Sequence, residues 1–256
     1  MSNLQDDLMS LIKNLSSTNG DSEQAGAEPL PDPEGLPLVA QTILSSLDLS
    51  DKPTDPYPHF LMKDVLPAGY CEAITALPFH APTAEEANFD GRRNTNDNLR
   101  TYFNPEKQAE YEVINEVVEG FEHPIVRKVI EAITGADLSD GHLRIEYCQD
   151  GPGFWLEPHT DISVKKLSMV VSLLDDPALA QCGTDIHRGP PDHEYVGSAP
   201  YGMNNGMIFI PSDNTWHGVG HNPVPNGCLR KSLIVNYVTS DWREKWELAS
   251  DKLLKS

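Results

Sequence analysis

Hydrophobic residues recur at helical spacing through the first half of the chain. Over residues 3–15, leucine and isoleucine lie three or four positions apart, which predicts a short amphipathic helix. Residues 16–36 are rich in Ser, Gly, Pro and acidic residues, so this segment is predicted to be a mobile linker. Helical spacing returns over 38–47 and 111–135, where Pro124 predicts a break. The first half is therefore predicted to be mainly helical.

Two segments interrupt these helices. Residues 57–68, "YPHFLMKDVLPA", combine apolar and aromatic residues and predict a strand that leads to a helix near Gly69. Residues 82–110 are polar, with one aromatic pair, and are predicted to form a loop bordering a site.

From residue 143 the pattern changes to short β-branched or aromatic runs bounded by Gly, Pro, Asp and Asn. The runs are "LRIEYC", "LSMVVSLL", "GTDIH", "GMIFIP" and "SLIVNYV", which predict a sandwich or small barrel. A last helix is predicted over 241–254. This order predicts an α+β, mainly β fold, with a β core over about 143–240 flanked by helices. The domain would span 37–256, after an N-terminal helix and linker in 1–36.

Composition narrows the classes of function. The 256 residues carry a net charge of −20 without a basic stripe, which argues against nucleic-acid binding. No stretch approaches the roughly 20 apolar residues of a membrane span. The four cysteines form no CxxC pair, and Asp6 and Asp7 stand where a signal peptide would be basic. A protein of the cytoplasm with reduced thiols is expected.

The first candidate for chemistry is the stretch "WLEPHTD". On a strand, His159 and Asp161 point to the same side while Thr160 points to the other. The pair can supply two ligands of a metal, or it can be two polar residues that face water. The triplet alone does not decide between these interpretations.

A third ligand is available further along the chain. His217 follows the apolar run "MIFIP" and comes 58 residues after His159. Two histidines and one carboxylate on one face leave positions open at the metal, which suits non-heme Fe(II). His221 is the rival, but its spacing places it in the turn before Pro223.

Arg230 and Ser232 suggest an anion-binding pair near the start of the last predicted strand. A guanidinium can hold a carboxylate through two parallel hydrogen bonds, and Ser232, two residues on, faces the same side. Inside a barrel they would bind the far end of a dicarboxylic acid. At a sheet edge Arg230 would form only a surface ion pair.

With this spacing the chain resembles the 2-oxoglutarate- and Fe(II)-dependent oxygenase superfamily, and within it the prolyl-hydroxylase-like branch of small bacterial members. The resemblance covers about residues 57–240 and includes "YPHFLMKDVLP", "GFWLEPHTD" and "CGTDIH". It implies a double-stranded β-helix, the jelly-roll fold shared with cupins, with iron at its mouth.

The resemblance also implies roles for individual residues. Three of them match the iron ligands: His159, Asp161 and His217. Arg230 matches the residue that pairs with the 5-carboxylate of 2-oxoglutarate, and Ser232 matches its helper. Tyr147, on the strand before the metal motif, either reaches this cosubstrate or belongs to the core. Fe(II) and the cosubstrates 2-oxoglutarate and O₂ are therefore expected.

The sequence departs from the prolyl-hydroxylase pattern at three places. Leu156 stands where a tyrosine is usual, Arg230 stands where lysine is frequent, and the turn "CQDGPGF" is longer. These departures put a peptidyl-proline substrate in doubt but leave the chemistry intact. Asp161 favours hydroxylation over halogenation, because the related halogenases have a small residue there.

The expected reaction is hydroxylation of an unactivated C–H bond in a small molecule, such as an amino acid or a related metabolite. Residues of these types are more often structural or on the surface than in contact with a substrate, but the candidate substrate contacts are Arg93, Asn96, Asn98 and Arg100 of the polar loop, followed by Arg144 and Trp155. Three alternatives stay open: a hydroxylase of peptidyl side chains, a cupin-like metal enzyme without 2-oxoglutarate, and a non-catalytic interaction module. The N-terminal helix is expected to dock on its own domain or on a second subunit in a homodimer, and docking on a partner is the alternative.

Overall fold

A computed structural model describes residues 35–80, 82–83 and 100–250 of the chain. The predicted helix over 3–15 lies outside the described residues, as does all but the end of the predicted linker. The core begins at Leu36, which is buried and accepts a hydrogen bond from the side chain of Gln41 through its carbonyl oxygen.

The described residues form five α-helices: α1 (Leu38–Asp48), α2 (Tyr70–Thr75), α3 (Pro105–Glu110), α4 (Glu112–Glu122) and α5 (Pro124–Thr134). The predicted break at Pro124 is confirmed: α4 ends at Glu122 and α5 begins at Pro124. Proline lacks an N–H and is therefore tolerated in the first turn of a helix. Gly135 ends α5 with a φ of 77°, a conformation that glycine adopts without strain. In the described part of the chain, none of the helices is both long enough and apolar enough to cross a membrane.

The described strands form two antiparallel sheets. In chain order they are β1 (His59–Met62), β2 (Arg100–Tyr102), β3 (Gly141–Asp150), β4 (Leu156–His159), β5 (Lys165–Ser172), β6 (Asp185–His187), β7 (Tyr195–Ser198), β8 (Gly206–Phe209), β9 (His217–Val219) and β10 (Arg230–Thr239). The larger sheet has the order β1-β8-β5-β10-β3-β2 and the smaller sheet the order β4-β9-β6-β7. The predicted mixture of helices with antiparallel β structure is confirmed.

Strands β3 and β10 form the longest pairing of the larger sheet. They pair along ten residues, from Gly141 opposite Thr239 to Asp150 opposite Arg230. Successive side chains alternate between the two faces of a strand. Most apolar side chains of β3 and β10 lie on one face, which packs against the helices. Its central residues are Leu143, Ile145, Tyr147, Leu233, Val235 and Tyr237.

The opposite face of the larger sheet, called the inner face here, is mostly polar. It carries Arg144, Glu146, Cys148 and Asp150 of β3 and Arg230, Ser232, Ile234 and Asn236 of β10. The smaller sheet contacts this side: Ile186 of β6 packs with Met207 and Phe209 of β8. The ring of Phe209 also lies 4.5 Å from the ring of His217 on β9. Side chains from both sheets therefore meet around one interior.

The predicted C-terminal helix over 241–254 is wrong for the part that the structure describes. Residues 241–250 contain only a short 3₁₀ helix, Lys245–Glu247. Tertiary contacts override the helical pattern here. The Glu247 carboxylate accepts hydrogen bonds from Arg144 and Trp242, and the Ala249 N–H donates to the Leu143 carbonyl oxygen at 2.9 Å.

The polar segment over 82–110 contains two elements that the sequence pattern did not predict. β2 pairs with β3, with Arg100 opposite Cys148. α3 starts after Asn104, whose side-chain oxygen accepts a hydrogen bond from the Lys107 N–H at 3.1 Å. Asparagine followed by proline is a favourable helix start, so "NPEKQAE" held the signal for α3.

We expect helix packing to be sensitive at Gly120 of α4. A Cβ on residue 120 would lie 2.7 Å from Cβ of Val39 on α1, so the two helices would have to separate. Gly120→Ala should lower the free energy of unfolding in urea by about 1–3 kcal/mol, despite the higher helix propensity of alanine. The control is Gly197→Ala, where an added Cβ meets open space. Equal stability of Gly120→Ala and the wild type would contradict this packing.

Candidate metal and cosubstrate site

The structure brings the three predicted metal ligands together. β4 and β9 are neighbours in the smaller sheet, with His159 opposite His217 and their ring centroids 4.4 Å apart. Asp161 follows β4 by two residues. One ligand atom from each of the three side chains lies within 4.8 Å of the others. This spacing is compatible with coordination of a single ion.

Backbone carbonyls fix the orientation of both imidazoles. His159 Nδ1 lies 2.9 Å from the Glu157 carbonyl oxygen, and His217 Nδ1 lies 2.9 Å from the Thr215 carbonyl oxygen. With Nδ1 as the donor in each ring, Nε2 keeps its lone pair for a metal. Burial lowers the pKa of His217 to about 4, so this imidazole is neutral near pH 7.

Two side chains that were not among the predicted site residues hold the Asp161 carboxylate in place. Lys165 Nζ donates to its Oδ1 at 2.6 Å, and Ser168 Oγ donates to its Oδ2 at 2.6 Å. Burial alone would raise the pKa of Asp161, but the charge of Lys165, the nearby His217 and the two hydrogen bonds outweigh burial and lower it to about 2. The carboxylate is therefore charged near neutral pH, as a metal ligand must be.

Arg230 and Ser232 lie on the inner face at the start of β10, and both are buried. Arg230 donates from Nε to the Cys182 carbonyl oxygen at 2.8 Å and from Nη1 to Asp150 Oδ2 at 2.7 Å. Ser232 Oγ has no hydrogen-bond partner among the described residues. A buried hydroxyl without a partner is costly, and a bound anion would satisfy it.

The metal-ligand group, which consists of His159, Asp161 and His217, lines the same cavity as the Arg230–Ser232 pair, and this cavity opens partly to solvent. The remaining walls are largely apolar: Phe154, Leu156, Val170, Phe209, Val219 and Ile234. Convergent polar groups within an apolar wall are typical of small-ligand sites.

The donor set fits Fe(II). Two imidazole nitrogens and one carboxylate on one face of a metal leave coordination positions open for other ligands, as in non-heme Fe(II) oxygenases. Within the described residues, His159, Asp161 and His217 are the one group of three or more His, Cys, Asp or Glu residues with metal-site spacing. The unpartnered Ser232 hydroxyl, together with Arg230, fits the far carboxylate of a dicarboxylic acid.

The rival ligand His221 lies elsewhere. Its ring stacks on Tyr195 with centroids 3.6 Å apart, and its backbone N–H donates to Asp185 Oδ2 at 2.8 Å. The geometry therefore favours His217 as the third ligand.

The position of Tyr147 corrects the prediction that it could reach the cosubstrate. Its side chain is on the helix-facing side of β3, where its ring lies 5.2 Å from the ring of Phe79. Residues 146 and 148, one position away on either side, are the ones that face inward. The alternative interpretation, a tyrosine of the core, describes its place.

The described substrate candidates lie in three different places. Arg100 lines the cavity. Arg144 is stacked against the rings of Tyr102 and Trp242, 4.8 Å from each centroid, and does not line the cavity. Trp155 is 42 % exposed and also lies outside the cavity lining. Three further candidates, Arg93, Asn96 and Asn98, lie outside the described residues.

Sequence reasoning missed Asp150, Lys165 and Ser168. A signal for Asp150 was available, because "LRIEYCQD" alternates apolar and polar residues and places Asp150 on the same face as Glu146. Lys165 and Ser168 gave no comparable signal, since their role depends on where Asp161 lies after β4. No disulfide joins any of the four cysteines.

No known protein-family model matches the chain, and no curated protein matches it. Similar solved structures include a prolyl-4-hydroxylase from Pseudomonas putida, with 17% identity, coverage of 78% of this chain and 98% of that one, and a TM-score of 0.49. A prolyl hydroxylase from Trichoplax adhaerens, in complex with a hypoxia inducible factor oxygen degradation domain peptide fragment, has 10% identity, 78% and 89% coverage and a TM-score of 0.49.

A third similar structure is the non-heme α-ketoglutarate-dependent epimerase SnoN from nogalamycin biosynthesis. It has 16% identity, covers 81% of this chain and 84% of its own, and has a TM-score of 0.46. By their names, these three structures are two prolyl hydroxylases and one epimerase, so they differ in reaction.

We expect metal binding to depend on His159 and to be independent of His221. In calorimetric titration with Mn(II), His159→Ala should weaken binding more than about 100-fold, beyond the roughly 10- to 100-fold cost of losing an outer partner. His221→Ala, which removes an imidazole outside the ligand group, should bind Mn(II) like the wild type. The reverse pattern would show that the metal does not bind at the group formed by His159, Asp161 and His217.

We also expect Ser168 to support Asp161. Ser168→Ala removes the hydroxyl that donates to Asp161 Oδ2, so Mn(II) affinity should fall by about tenfold, the size expected for a hydrogen bond to a ligand. Ser172→Ala, four residues along the same strand and outside the cavity lining, is the matched control. Equal affinities for the two variants would exclude this role for Ser168.

Proposed function

We propose that the protein is a 2-oxoglutarate-dependent, non-heme Fe(II) dioxygenase that hydroxylates an unactivated C–H bond of a small molecule, such as an amino acid or a related metabolite. One observation carries the proposal: the two histidines and the aspartate of the metal-ligand group share a cavity with Arg230 and Ser232. A metal site and a carboxylate site side by side suit a cosubstrate that must reach both.

The proposed fold is a double-stranded β-helix of the jelly-roll, cupin-like type. This proposal is supported by the distribution of the site residues over the two sheets. The smaller sheet carries His159 and His217, and the larger sheet carries Arg230 and Ser232 on its inner face. The cavity is lined from both sheets.

His159 and His217 would hold Fe(II) through Nε2 and Asp161 through a carboxylate oxygen. When bound, the metal with O₂ supplies the oxidation of the substrate C–H bond, and 2-oxoglutarate supplies the remaining two electrons as it becomes succinate and CO₂. The protein's contribution is to hold the reactants in one geometry. The carbonyls of Glu157 and Thr215 fix both rings before any metal arrives.

Arg230 and Ser232 would orient the cosubstrate. The Ser232 hydroxyl would donate to its far carboxylate, and Arg230 would donate from the N–H groups that Cys182 and Asp150 leave unused. The side chains of Phe209 and Ile234 line the cavity beside them and limit the access of water.

One observation supports a substrate other than the peptidyl proline of a prolyl hydroxylase. Leu156, which replaces the tyrosine expected of a prolyl hydroxylase, lines the cavity, so this departure changes the surface that a substrate would meet. The expected cytoplasmic location is in keeping with cysteines that no disulfide joins.

The test is to measure O₂ uptake and succinate release by the Fe(II)-loaded protein across a panel of free amino acids, peptides and small metabolites. We expect both signals to require 2-oxoglutarate and to rise with a free small molecule. Stimulation by peptides alone would support the peptidyl alternative. O₂ uptake without dependence on 2-oxoglutarate, or no turnover with any compound, would contradict the proposal.

A matched pair of variants tests the role of Arg230. Arg230→Met should raise the KM for 2-oxoglutarate by at least about 30-fold, because a buried charged hydrogen bond is lost. Arg188→Met, at an exposed arginine paired with Asp55, should leave the KM unchanged. An unchanged KM for a folded Arg230→Met protein would show that Arg230 does not bind the far carboxylate of 2-oxoglutarate.

A further inference from the structure

A continuous row of alternating charges runs along the inner face of the larger sheet, from the cavity to the short 3₁₀ helix Lys245–Glu247. Its members, in order of contact, are Arg230, Asp150, Arg100, Glu146, Arg144 and, on the 3₁₀ helix, Glu247. All but Arg100 are buried, and the Arg100 side chain is only 11% exposed. Charges this deep strongly influence one another, because little water screens them.

Asp150 is the member of this row that bears most directly on the pocket. Its Oδ2 accepts from Arg230 Nη1 at 2.7 Å, and its side chain lines the cavity beside Ser232. Asp150 therefore fixes the orientation of Arg230. It also places a negative charge next to the position proposed for the far carboxylate of 2-oxoglutarate, so it repels the anion that Arg230 attracts.

Arg100 is placed to offset that repulsion. Its Nη2 lies 4.0 Å from Asp150 Oδ1, its Nη1 pairs with Glu146, and it lines the same cavity. Burial alone would lower the pKa of Arg100, but Cys148, Glu146 and Asp150 outweigh burial and raise it. The guanidinium is therefore a permanent positive charge beside the pocket.

We propose that Asp150 and Arg100 together set the affinity of the cavity for a dicarboxylate, because Asp150 lowers this affinity and Arg100 raises it. Asp150 orients Arg230 at the cost of repelling the ligand, and Arg100 neutralises Asp150. Both are positioning residues that act through charge. This inference rests on the proposed function, since it assumes that Arg230 binds the far carboxylate of 2-oxoglutarate.

The experiment is calorimetric titration of 2-oxoglutarate into the Mn(II)-loaded protein without O₂, so that no turnover is involved. Asp150→Asn removes the negative charge and keeps an oxygen that can accept from Arg230, so the Kd should fall on the order of tenfold. Arg100→Met removes the second positive charge beside Asp150 and leaves only Arg230 to offset it, so the Kd should rise on the order of tenfold. Arg188→Met is the surface control and should match the wild type.

Binding of 2-oxopentanoate, a 2-oxo acid without the far carboxylate, separates charge from structural damage. Its affinity should be equal in all four proteins, because it places no anion near Asp150. Opposite shifts for 2-oxoglutarate with constant 2-oxopentanoate affinity are the expected result. Shifts in the same direction, or none, would overturn the inference. Failure of the wild type to bind 2-oxoglutarate would instead overturn the proposed function itself.

Discussion

The pairing of β3 with β10 is the constraint on which the rest of the structure depends. Ten consecutive residues pair antiparallel in a single register, from Gly141 opposite Thr239 to Asp150 opposite Arg230. Because strand residues alternate between faces, a shift of one residue would move every inward side chain outward. The register therefore decides at once which residues pack on the helices and which line the cavity.

The same register concentrates charge in the interior. Buried ion pairs contribute little net stability when the cost of desolvation is counted, so the row from Arg230 to Glu247 is better explained by what it positions. One end of the row holds Arg230 at the cavity, and the other end, away from the cavity, fixes residues 241–250 through Arg144 and Glu247. The large apolar core on the opposite face supplies the stability that this polar face does not.

The sequence brings residues together where the signal is local. Arg230 and Ser232 are two residues apart on β10, and strand alternation places them on one side without knowledge of the fold. His159 and Asp161 are also two residues apart and lie close together, although Asp161 comes after the end of β4. Partners from other strands could not be predicted in this way. The pairing of Asp150 with Arg230 depends on the register of β3 and β10, and Lys165 and Ser168 depend on the turn that follows β4. Tyr147 was left open between the cosubstrate and the core, although the alternation within "LRIEYC" assigns it to the core. The C-terminal segment failed for another reason: its helical pattern yields to the contacts of Glu247 and Ala249.

The most direct test of the account is a crystal structure of the protein grown with Mn(II) and soaked with 2-oxoglutarate, with anomalous scattering used to locate the metal. The account predicts one strong anomalous peak in contact with Nε2 of His159, Nε2 of His217 and a carboxylate oxygen of Asp161. It also predicts ligand density that extends from this peak to Arg230 and Ser232. A metal bound elsewhere, for example at His221, or a ligand whose far carboxylate lies away from Arg230, would contradict it.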